Sequence, residues 1–167
     1  MISHRQVMLN MGTAVRDSEA VLDYCVAHFS RGLAIHVGAY ADQIPGEEDS
    51  PVLWVFASGE TETVATDETF AVSFVVGGCP LGPDGEKVVN TVITERTDEA
   101  NGLVVNGANK IVEDLRDIIL GVIRDAKCGG RIVNFTRSEN DLAHQPFEWA
   151  AFEVEIQVDV SLEDKGE

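Results

Sequence analysis

Phe152-Glu153-Val154-Glu155-Ile156-Gln157-Val158-Asp159-Val160 alternates without a break, with Phe152, Val154, Ile156, Val158 and Val160 on one side and Glu153, Glu155, Gln157 and Asp159 on the other. Side chains along a strand project to opposite faces in turn, so this stretch predicts a strand packed on one face and wet on the other. A sheet with one packed face needs helices to cover it, and the clearest lies upstream. Ile111, Val112, Leu115, Ile118, Ile119, Val122, Ile123 and Ala126 fall on one helical stripe, with Lys110, Glu113, Arg116, Asp117 and Arg124 opposite. Gly129 and Gly130 end that helix.

Working outward, Val21, Leu22, Tyr24, Cys25, His28 and Phe29 mark another helix behind the N-cap types Asp17 and Ser18, with Gly32 as its stop. Residues 1–16 show no clear period and are expected to be an arm or an extra helical turn. Leu33 to Val37 reads as a short strand, and the continuous apolar run Val52 to Ala57 as a central strand covered on both faces. Thr69 to Val76 follows, with Phe70, Val72, Phe74 and Val76 on one face. The breaker cluster Gly77 to Gly85 predicts a loop with a mobile tip. Val88 to Thr94, Leu103 to Val105 behind the Asn101-Gly102 turn, and Arg131 to Thr136 have strand composition. The expectation is a single α+β domain over residues 1–167, a mixed or antiparallel sheet packed by two main helices on one side, with 161–167 as a flexible tail.

The unusual quantity is charge: 12 Lys and Arg against 29 Asp and Glu leave −17, which fits either an ordinary soluble acidic surface or one built not to stick to polyanions. DNA binding requires a basic patch against about one phosphate charge per 1.7 Å of duplex, so a generic nucleic-acid binder is disfavoured. Cys25, Cys79 and Cys128 are odd in number and widely spaced, which implies neither a disulfide framework nor a zinc site. The first residues lack the apolar run of a signal peptide, so synthesis in the cytoplasm is expected.

Catalytic signatures are missing from the sequence. His4, His28, His36 and His144 share no metal-ligand spacing, and no GxSxG, P-loop or GxGxxG pattern occurs. His28, on the apolar side of its helix, reads as a hydrogen-bonded core residue. Glu47-Glu48-Asp49 lacks the spaced oxygens of a calcium loop and reads as a solvated turn. No cofactor and no metal are expected, and the chain does not read as an enzyme. The acidic side of the last strand fits either edge protection against aggregation or a wall that repels something negative.

Order and texture together resemble the tail terminator or tail completion proteins of long-tailed bacteriophages. The features are an amphipathic helix near the N-terminus, Leu33 to Gly38, and the acidic loop Asp42-Gln43-Ile44-Pro45-Gly46-Glu47-Glu48-Asp49-Ser50-Pro51 running into Val52-Leu53-Trp54-Val55. The long helix Ile111 to Ala126 and a closing strand reached through Gln145-Pro146-Phe147-Glu148-Trp149 complete the likeness. The N-terminal segment and Cys79-Pro80-Leu81-Gly82-Pro83 have no counterpart in the family pattern.

The resemblance implies a homo-oligomeric ring, a hexamer, that caps the head-proximal end of the tail tube in the virion. Its partners would be the tube protein on one side and the head-tail connector on the other, and genome DNA would pass through without specific binding. Asp42, Glu47, Glu48, Asp49, Glu153 and Glu155 are the candidate ring-interface or lumen residues. Screening confines repulsion of DNA to about 8 Å at physiological salt, so such carboxylates act only where they line the channel. Repulsion between subunits of this charge predicts tighter assembly at higher salt. Three other readings stay open: another phage morphogenesis part such as a head completion protein or tube subunit, an acidic DNA mimic that occupies a DNA-binding protein, and an enzyme or binding domain with a dispersed site.

Overall fold

Three helices and seven strands make up the described residues of the computed structural model, which are 2–38, 49–62, 67–88, 90–93, 103–126, 128–138 and 147–159. In chain order they are α1 His4–Arg16, α2 Glu19–Phe29, β1 Ala34–Val37, β2 Val52–Glu62, β3 Asp67–Gly78, β4 Asn90–Ile93, β5 Leu103–Asn106, α3 Gly107–Asp125, β6 Arg131–Ser138 and β7 Glu148–Asp159. Five strands form one mixed sheet in the order β1-β2-β3-β7-β6, with β1 parallel to β2 and the remaining pairs antiparallel. β4 and β5 form a separate antiparallel ribbon. The α+β class, the mixed sheet and the strand composition of all seven segments are as the sequence predicts.

The core lies between one face of the sheet and the helices. Leu53 and Val55 of β2, Phe70, Val72, Phe74 and Val76 of β3, and Ala150, Phe152, Val154, Ile156 and Val158 of β7 are all buried on it. Register aligns them across strands, Val55 with Phe74 and Phe74 with Phe152, and the two phenyl rings stack at 4.5 Å. From α3, Val112, Leu115, Ile119 and Ile123 close the layer.

Residues 4–16 are neither an arm nor an extra turn but a full helix. Ser3 caps it by accepting from the Gln6 N–H, and Val7, Met8, Met11 and Val15 bury one stripe in the core. Gly12 sits on the same stripe and allows β1 to approach, because a Cβ there would lie 3.2 Å from a Val37 methyl. α2 begins at its Ser18 cap as predicted but stops before Gly32, at Ser30 in the left-handed conformation with φ 62°. Arg116, which falls on the polar side of the α3 wheel, is buried, with Nε donating to Asp117 Oδ1 at 3.1 Å.

Three further expectations change. β2 is not covered on both faces: Leu53 and Val55 are buried, whereas Trp54 and Phe56 are half-buried on the face without helices. β7 is not an edge, since it pairs with β3 and β6, so its carboxylates do not protect an edge. Gly77 and Gly78 belong to β3, paired with Trp149 and Glu148. A side chain at Gly78 would meet the Phe29 ring at 2.5 Å, which is why the smallest residue continues the strand. The segment after it is anchored at its base by Leu81 N–H to the His28 carbonyl at 2.7 Å and by Gly82 N–H to the Glu86 carbonyl at 2.7 Å.

Candidate functional site

The face of the sheet that the helices leave open carries two chemically distinct halves. Where β2 begins and β7 starts, the register sets His36, Trp54, Val75, Ala151 and Ser138 in one row across all five strands. Trp149 lies one residue pair beyond, opposite Gly77, and its ring fills the space where a side chain at Gly77 would stand, 2.6 Å from a Cβ built there. That vacancy brings Trp149 onto Trp54, stacked at 5.2 Å and 16°, with Phe147 edge-on to Trp149 at 4.7 Å. All three rings are half-buried.

The next rows are polar. Phe56, Ser73, Glu153 and Thr136 align, followed by Ala71, Glu155 and Asn134, and then by Thr69, Gln157 and Arg131. The Ser73 hydroxyl donates to Glu153 Oε2 at 3.4 Å, and Arg131 donates to Gln157 Oε1 at 3.0 Å. Glu153 and Glu155 are half-buried, flanked by neighbouring strands on both sides. The structure thus brings these two predicted carboxylates together and sets an aromatic patch beside them. Asp49 is exposed in the turn ahead of β2, at the aromatic end of the sheet. Asp42, Glu47 and Glu48 lie outside the described residues.

Sequence reasoning missed the aromatic patch. The sequence places Trp54 in a run expected to be covered on both faces, and Trp149 in the approach to the strand rather than within it. The available signal was the two-residue step from Trp149 to Ala151 to Glu153, which extends the wet side of the alternation back into an aromatic residue.

Elsewhere the titratable groups serve the fold. His28 is half-buried and tilted against Tyr24 at 4.3 Å, so it is not the core residue the helix pattern suggests. His4 stacks on Phe70 at 4.7 Å with Nε2 3.2 Å from the Ala71 carbonyl oxygen. The three cysteines are buried, and none is in a disulfide. Burial pushes the Cys25 thiol up to about 12 and raises that of Cys128, which keeps both protonated and poor nucleophiles near neutrality. Tyr24 is raised to about 12, first by burial and then by the nearby Asp114 and Cys25, while its hydroxyl donates to the Ile111 carbonyl at 3.0 Å and ties α2 to α3. No group of three or more His, Cys, Asp or Glu that could hold a metal occurs among the described residues.

A paired aromatic patch bordered by carboxylates is the composition of a protein-contact surface, where large rings supply contact area and polar groups set orientation. No known family model matches the chain, and no curated protein matches its sequence.

Proposed function

We propose that this chain is a structural assembly protein that forms a ring capping the head-proximal end of a phage tail tube, with the open face of the sheet as a contact surface between proteins. The observation that carries the reading is the Trp54–Trp149–Phe147 patch, stacked and half-exposed on the face of the sheet that the helices leave open. Preorganised rings lose little side-chain freedom when a partner covers them, which makes them effective anchors. The resemblance in element order supplies the phage assignment, and the three-helix, five-stranded body accommodates that order.

In this role the ring occupies the growing end of the tube, stops further addition and offers its other side to the connector. Glu153 and Glu155 act as interface or lumen groups, and the net charge of −17 keeps free subunits apart until salt screens them.

Light scattering across protein concentration and salt, followed by electron microscopy of the heaviest species, tests the reading. A closed ring of about six copies is expected, with association strengthening as salt rises from low to physiological. A monomer under every condition, or rings that salt leaves unchanged or weakens, would overturn it.

A further inference from the structure

The second unusual surface lies on the opposite side of β7, along the β6 edge. Six of the chain's 12 Lys and Arg fall within residues 110–137, namely Lys110, Arg116, Arg124, Lys127, Arg131 and Arg137, against only Glu113, Asp114, Asp117 and Asp125. This segment therefore has an excess of positive charge in a chain whose total is −17. α3 and β6 fold it back on itself, and between them runs a groove of about 750 Å³ lined by Arg124, Ala126 and the stretch from Gly129 to Phe135.

The groove joins three features of a docking site. Phe135 is 37% exposed, and the guanidinium groups of Arg124 and Arg137 sit 5.6 and 5.3 Å from its ring centre. Val133, the extra residue where the register between β6 and β7 shifts, is 45% exposed. β6 is the last strand of the sheet, paired only with β7 among the described residues. Charged residues on an edge ordinarily discourage strand pairing, but that role calls for hydrophilic neighbours, whereas here two large apolar side chains stand exposed between the arginines. Arginine beside an exposed ring is the composition of an interface anchor.

Arg137 is held by Asp117 at 3.0 Å, which fixes its plane over Phe135. Arg124 has no carboxylate in ion-pair range among the described residues, and Arg131 contacts the neutral Gln157. The two guanidinium groups are thus available for an acidic surface, and the chain itself offers one in Glu153 and Glu155 on the open face.

Building on the ring reading, we propose that the α3–β6 groove of one copy docks onto the acidic open face of the next, with Arg124 and Arg131 meeting Glu153 and Glu155. Arg131 stands on the open-face side of the β6 edge and Arg124 on its helix side, whereas Glu153 and Glu155 belong to the inner strand β7. The edge of one copy thus meets a different patch on the next, so the contact is head-to-tail and generates a closed ring rather than a two-fold dimer when the rotation closes. The same polarity explains how subunits of like net charge associate. Long-range repulsion is screened by salt, while opposite charges in direct contact are partly desolvated and screened less.

Charge reversal tests this in the full chain. Arg124→Glu with Arg131→Glu, and separately Glu153→Lys with Glu155→Lys, are each expected to lower the association constant at least tenfold by light scattering, with circular dichroism unchanged. The chain carrying all four substitutions, whose charges are exchanged but again complementary, is expected to recover association. Double variants that keep the wild-type mass overturn the groove contact while leaving ring formation intact. Loss in the double variants without recovery in the quadruple variant overturns the specific pairing. A wild-type chain that stays monomeric overturns the ring reading itself, and the contact with it.

Discussion

Two stacked aromatic pairs sit on opposite faces of the same sheet and have opposite surroundings. Phe74 and Phe152 stack at 4.5 Å beneath the helices and are 0% and 2% exposed; Trp54 and Trp149 stack at 5.2 Å on the open face and remain half-buried. The phenylalanines are direct partners on neighbouring strands, whereas the tryptophans reach each other across β3 over Gly77, and the pairs differ above all in what covers them. The inner pair is part of the force that folds the chain. The outer pair is organised by that fold and keeps surface for another molecule.

Substitutions at the two pairs should therefore separate stability from association. Phe152→Ala empties a fully packed site and is expected to cost about 3–5 kcal/mol by urea denaturation, the largest effect of the series. The alkaline limb of stability reports on the inner layer as well. Cys25 ionises at about 12 in the fold, against 9.0 for an ordinary thiol, and Tyr24 at about 12 against 10.0. Below pH 9 both states hold these protons; above it the unfolded chain releases them first, so stability falls as pH rises from about 9 toward 12, by on the order of a few kcal/mol. Cys25→Ala should flatten the lower part of that limb, and an unchanged limb would show that burial does not control it.

Gly77→Ala couples the two faces, since the new methyl must displace the Trp149 ring. It is expected to cost about 1–3 kcal/mol and to disturb the Trp54–Trp149 stack, read as a change in near-ultraviolet circular dichroism. Trp54→Ala removes half-buried surface and should cost only about 1–2 kcal/mol while weakening ring formation more than tenfold. An equal loss from Trp54→Ala and Phe152→Ala would erase the distinction drawn between the pairs. Smallest of all, Ser18→Ala removes the α2 cap, with an expected loss of about 1 kcal/mol and no effect on association.

Periodicity carried the sheet and α3 because alternation in β7 and the 111–126 stripe are long and uninterrupted. It failed for α1, where Asn10, Gly12 and Thr13 dilute a stripe formed by Val7, Met8, Met11 and Val15. It also failed at Gly77 and Gly78, where glycine marks close approach by Trp149 and Phe29 rather than a break. Glu153 and Glu155 were legible as a wet pair, but whether their strand is central or at an edge depends on pairing across more than 70 residues, as between Glu153 and Ser73. The aromatic patch and the β6 groove were not legible for the same reason. Each is made of residues from separate elements, and no local pattern says that Trp54 lies against Trp149 or that Arg124 lies over Phe135.

The chain contains two tryptophans, and both belong to the stacked pair on the open face. Tryptophan fluorescence is consequently a single-site reporter, blind to the helices and the phenylalanine core. Two indoles stacked this closely couple electronically, so a subunit arriving on that face changes an optical signal that no label or mutation is needed to create.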